Sequence, residues 1–130
     1  MPPGTTKLSG DARSTTWGAT LPGGSTVTFK AQTAASIADR YKTSVGRIDV
    51  SKYGKRVNTD LGVTGTPPRF GAFPTGTGAE WDTSSTGSAG RVTLIDGGSM
   101  AYLLVLQHSG GLPVADVADY LAVSASLRPA

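Results

Sequence analysis

The chain has no cysteine and a single histidine, His108. The first absence removes disulfides, thiolate nucleophiles and cysteine-based zinc sites together. The second leaves any Ser-His-Asp mechanism dependent on one residue. Charge is scarce as well. Only 16% of the 130 residues are charged, and 12 basic against 9 acidic side chains leave a net charge of +3. So mild an excess attracts anions weakly and is not the footprint of a nucleic-acid binder, so no nucleic-acid partner is expected. No apolar run reaches the roughly 18 residues that cross a bilayer, and no membrane span is expected. The opening Met1-Pro2-Pro3-Gly4 lacks the basic and apolar regions of a signal peptide. The expectation is therefore a trimmed extracytoplasmic domain, secreted or membrane-anchored in its full-length form, carrying an added Met1; an intracellular protein is the alternative.

What is present is turn chemistry and hydroxyls. Eighteen glycines and 8 prolines accompany a hydrophobic content of 38%. One domain of this size buries a core without metal or cross-links. Residues 1–15 show no hydrophobic period and read as a flexible arm or linker, leaving 16–130 as a single domain. Trp17 to Leu21 reads as a short strand closed by Pro22-Gly23-Gly24. Ser25 to Gln32 alternates, with Val27, Phe29 and Ala31 on one face, and reads as a half-buried strand. Thr33 is a plausible N-cap for a helix through Ala34, Ile37, Ala38, Tyr41 and Val45, ended by Gly46. Arg47 to Val50 reads as a strand and Ser51 to Arg56 as a basic turn. Gly62 to Gly78, with five glycines and three prolines, reads as a long irregular loop.

The last forty residues are the clearest. A strand around Trp81 precedes Arg91-Val92-Thr93-Leu94-Ile95, a turn at Asp96-Gly97-Gly98-Ser99, and the apolar strand from Met100 to Leu106. A helix then starts at Pro113, with Val114, Val117, Ala118, Leu121 and Ala125 as one apolar stripe and Asp116 complementing its dipole. Together these give an α+β domain: an antiparallel β-sheet with helices packed on it.

Little in this order looks chemical. His108 lies where the apolar strand leaves the core, near Asp96, Ser99 and Ser109 in sequence; a strand-end histidine is the plainer reading. Glu80 and Asp82 flank Trp81 on a strand and face away from it, as a solvent-facing pair or as paired acid-base carboxylates. One histidine and scattered carboxylates offer no metal-ligand cluster, and the glycine-rich stretch lacks the phosphate-binding lysine, so no metal or cofactor is expected. Basic and aromatic residues in the two loops are recognition chemistry for glycans, anions or a partner surface. The candidate binding residues are Tyr53, Arg56, Arg69, Phe70 and Phe73; the competing reading has the phenylalanines plugging the core edge.

Gly78-Ala79-Glu80-Trp81, Gly90-Arg91-Val92, Asp96 to Tyr102 and Ala122 to Pro129 form an ordered series. It resembles the extracytoplasmic PsbP/Mog1-like domains of actinobacterial lipoproteins and receptor-type kinases. Trp17 with Leu21-Pro22 resembles that family's opening strand, while Leu127 stands where the family usually has Phe. The resemblance implies an α/β/α sandwich around an antiparallel sheet and no catalytic set. Separately, Ser36 to Tyr41 after Thr26-Val27-Thr28 resembles the first helix of a LysM module, which implies peptidoglycan binding. The expected function is a non-enzymatic extracytoplasmic binding or sensor module, monomeric, with an unknown protein or a cell-envelope glycan as partner. The alternatives are a structural or assembly protein, such as a phage particle component, and a peptidoglycan-binding module.

Overall fold

The segment from Met100 to Leu106 is apolar throughout because the strand it forms is covered on both faces. The computed structural model describes residues 6–10, 14–43, 47–73, 76–98 and 100–126. Eight strands are formed: β1 (Thr6–Gly10), β2 (Ser14–Thr20), β3 (Thr26–Thr33), β4 (Thr64–Gly65), β5 (Arg69–Phe73), β6 (Gly76–Ser85), β7 (Ser88–Asp96) and β8 (Met100–Ser109). Two α-helices, α1 (Val50–Leu61) and α2 (Val114–Ser126), complete the chain. The sheet runs β1-β2-β3-β8-β7-β6-β4, and β5 also pairs with β6. All of these pairings are antiparallel.

Alternation along β6, β7 and β8 sorts the core into two layers. Ala79, Trp81, Val92, Leu94, Ala101 and Val105 face α1 and bury Val57 of that helix. Val27, Phe29, Ile95, Tyr102, Leu104 and Leu106 face α2 and bury its Tyr120. The helices thus lie on opposite faces of an antiparallel sheet, an α+β fold in three layers.

Several local expectations change. Thr6–Gly10, assigned above to a flexible arm, is an edge strand paired with β2; residues 1–5 and 11–13 lie outside the described residues. The helix expected from Thr33 is replaced by two 3-10 turns, Ala34–Ser36 and Asp39–Tyr41. No side chain caps either turn, and Ile37 and Ala38 between them are extended. That break drops Ile37 into the core and lays Tyr41 against Tyr53, ring centroids 5.4 Å apart. Val45 and Gly46 lie outside the described residues.

The strand expected at Arg47–Val50 is a single bridge, Lys42 to Ile48, and the basic turn at Ser51–Arg56 is the first half of α1. Asp49 caps α1 by accepting from Lys52 N at 3.2 Å, and Gly62, at φ 70°, ends it in the left-handed region. Between them Tyr53, Val57 and Leu61 recur every four residues and pack on the core. Gly54 conceals the helix in the sequence. Its missing side chain lets α1 close on Trp81, whose Cη2 would lie 3.2 Å from a Cβ there.

Nor is Gly62 to Gly78 one irregular loop. Pro67 and Pro68 fall between β4 and β5, where no ladder donor is required. Gly71 pairs with Gly78, and a Cβ at Gly78 would collide with the Leu94 carbonyl oxygen. On α2 the buried face is Asp116 and Tyr120 with Val117 at its border, while Val114 is 86% exposed and Ala118 is exposed. The apolar stripe read from sequence therefore lies mainly outward, because Asp116 is drawn in by backbone donors of the β2–β3 turn. The side chain of Ala125 and residues 127–130, including Leu127 and Arg128, lie outside the described residues.

Candidate binding groove

The outer edge of β6 carries β5 and then β4, end to end, and α1 crosses the face in front of them. Between α1 and β5 opens a cleft of about 620 Å3, lined by Arg47, Ile48, Asp49, Phe70, Thr77 and Asp96 among others. A second cleft of about 390 Å3 lies farther along α1, where Lys55, Asn58, Thr66 and Pro68 surround the edge of Trp81. Ser51 lines both, so the two form one groove. These volumes fall within the roughly 300–1,000 Å3 of small-molecule sites.

Phe70 stands over the first cleft. It pairs with Ala79 and so shares the α1 face of the sheet, yet it is 69% exposed. Arg47, exposed along the lining, makes two contacts: Nε donates to Asp96 Oδ2 at 3.1 Å and Nη2 to Thr77 Oγ1 at 3.3 Å. Asp96 Oδ2 also accepts from Ile48 N, and Oδ1 from Gly98 N at 2.9 Å. Asp96, read above as a turn residue, therefore ties the β7–β8 turn to the start of α1. In the second cleft Trp81 Nε1 donates to Asn58 Oδ1 at 2.8 Å.

The five residues singled out by sequence do not form one patch. Tyr53 packs beneath α1, and its hydroxyl accepts from Gln32 Nε2 at 2.7 Å. Arg56 is on the helix exterior, paired with Asp60 at 3.1 Å, an exposed i,i+4 pair of small energetic value. Arg69 faces the opposite side of the sheet from Phe70, beside Glu80 and Asp82. Phe73 contributes backbone to β5, and its side chain lies outside the described residues. Of the four whose side chains are described, only Phe70 borders the groove. Arg47, Asp49, Ser51 and Asn58 were missed, because a residue before a helix, its cap and two polar helix positions carry no recognition signal in sequence.

Glu80 and Asp82 turn away from Trp81 as expected, and each is shared between Arg69 and Arg91 at 3.0–3.7 Å. The four charges close the β5–β6–β7 part of the face beside α2. Glu80 Oε2 also accepts from Thr93 Oγ1 at 3.0 Å, beside the buried Tyr120 hydroxyl. Burial pushes the Tyr120 phenol far above its ordinary value.

His108 has neighbours other than those suggested by sequence. Asp96 lies at the far end of β7, while Ser25 and Asp116 lie near the ring. The geometry is that of a clamp. Asp116 Oδ1 accepts from Gly23 N at 2.9 Å and Oδ2 from Ser25 N at 3.1 Å, and His108 Nε2 meets the Gly23 carbonyl at 3.1 Å. Hydrogen bonding by Ser25 and then Gly23, together with the His108 ring, holds the Asp116 carboxyl below its ordinary value, against the cost of burial. Ser25 is wholly buried, and the histidine is engaged with a carbonyl, so no base-to-nucleophile contact exists here.

Among the described residues no group of three or more His, Asp or Glu is placed to hold a metal ion. No helix among them is long and apolar enough to cross a membrane. No protein-family model matches the chain, and no curated protein matches it.

Proposed function

We propose that the protein is a non-enzymatic extracytoplasmic binding module whose ligand or partner occupies the groove between α1 and β5. The observation that carries this reading is Phe70, 69% exposed over a cleft of about 620 Å3, where every other aromatic side chain among the described residues is buried or partly buried. The non-enzymatic part is supported by how the acid–base candidates are used. Asp116 accepts two amides, His108 meets a carbonyl, and Glu80 and Asp82 are neutralised by two guanidinium groups. The extracytoplasmic placement rests on the resemblance to PsbP/Mog1-like domains.

The test is cosedimentation with insoluble cell-envelope material. Wild-type protein and a Val114→Ser control on α2 are expected to sediment alike, and Phe70→Ala to remain in solution. Equal sedimentation of all three, or of none, overturns the reading. The outward stripe at Val114 and Ala118 favours a second one, an assembly protein such as a phage particle component that packs α2 against a neighbour. A monomeric mass at high concentration, by sedimentation equilibrium, eliminates it.

A further inference from the structure

We infer that the α1–β5 groove takes a neutral oligosaccharide, with one sugar ring stacked on Phe70 and the next unit reaching toward Asn58 and Trp81. This rests on the groove being the binding face and adds the chemical class of its occupant.

Charge comes first. Arg47 and Lys55 in the groove are matched by Asp49 and Asp96, so the lining has no net charge to select an anion or a cation. In the first cleft Arg47 stands beside Asp49 and Asp96, so a charged ligand of either sign would meet like charge there. Hydrogen-bonding capacity comes next. Arg47 spends Nε and Nη2 on Asp96 and Thr77, which leaves Nη1 to donate. Asp49 caps the helix through Oδ1, which leaves Oδ2 to accept. Ser51, between the two clefts, does either. Donors and acceptors side by side suit vicinal hydroxyls, each of which gives one hydrogen bond and receives others.

The apolar surface has the matching form. The exposed ring of Phe70 is a flat apolar surface of the kind on which the C–H face of a pyranose stacks. An extended peptide joined by strand addition would need the open edge of β5. The groove instead lies over the face of β5 and β6, where side chains project. Two adjoining clefts that meet at Ser51 fit a chain of at least two units.

The test uses 15N-labelled full chain titrated at millimolar concentration with cellotetraose, maltotetraose and chitotetraose, and in parallel with hexaglutamate and hexalysine. At least one tetrasaccharide is expected to shift the amides of Ser51, Gly54, Phe70 and Gly71 and the Trp81 indole N–H, and the charged peptides to shift none. Loss of stacking in Phe70→Ala is expected to weaken that affinity about tenfold, and Phe70→Tyr to retain it. If no tetrasaccharide shifts these signals while a charged peptide does, the saccharide inference is overturned and the groove stands as the binding face. If all probes leave the groove silent, or shift only other surfaces, both are overturned.

Discussion

Asp116 shows how one carboxylate positions a helix. Its two oxygens take two amides of the β2–β3 turn, and burial of that contact turns the face with Val114 outward. Its folded-state carboxyl lies below the ordinary 3.8, so the group stabilises the fold at pH above that value, and the contribution is lost as pH falls through the folded pKa. Thermal unfolding followed from about pH 5 to about pH 2 is expected to show a fall in melting temperature that Asp116→Asn makes shallower. Tyr120 is the second such residue. Its hydroxyl donates to Leu104 O at 3.2 Å and shares a short contact with Thr93, so two hydroxyl protons serve three contacts including Glu80. Tyr120→Phe is expected to cost about 1–2 kcal/mol in urea denaturation, with the sheet's secondary structure unchanged.

Among the elements, α1 controls the groove, and its hold on the sheet is the contact of Gly54 with Trp81. Gly54→Leu forces helix and indole apart and is expected to cost about 1–3 kcal/mol, with a red shift of Trp81 fluorescence as the Asn58 bond opens. Asp49→Ala removes the cap and is expected to cost about 1 kcal/mol, where Asp49→Asn keeps most of it. Strands β3, β7 and β8 are readable from sequence because their apolar residues alternate or run together, as at Val27, Phe29 and Ala31 or Met100 to Leu106, and α2 because Pro113 and the helical spacing after it mark a helix, although not the face it buries. What was not readable has specific causes. Gly54 and the basic residues around it disguise a helix whose only apolar repeat is Tyr53, Val57 and Leu61. Gly71 and Gly78 look like loop residues, although they are opposed within one ladder. The helical spacing of Ala34, Ile37 and Tyr41 satisfies two short turns equally well, and only the burial of Ile37 distinguishes them. Of the candidate site, Phe70 and the basic run that holds Lys55 were visible. Arg47 and Asp96, 49 residues apart, meet only through the fold.

At the scale of the molecule, the sheet is covered on both faces, and the helices divide its work. The α2 side is closed by the Asp116 clamp, the Tyr120 network and the Arg69–Glu80–Asp82–Arg91 charges; the α1 side is left open along β5. Phe70 belongs to that opening, so Phe70→Ala is expected to leave the unfolding free energy in urea within about 0.5 kcal/mol of wild type while weakening binding about tenfold. Because the chain has no cysteine, a single thiol placed at Ser51, where the two clefts meet, reports occupancy of the groove directly. The decisive measurement is the rate of maleimide alkylation of Ser51→Cys, against Val114→Cys on α2, with and without a cell-envelope extract. Binding in the groove predicts several-fold slower alkylation at position 51 and an unchanged rate at position 114. An unchanged rate at position 51, or equal slowing at both, would contradict it.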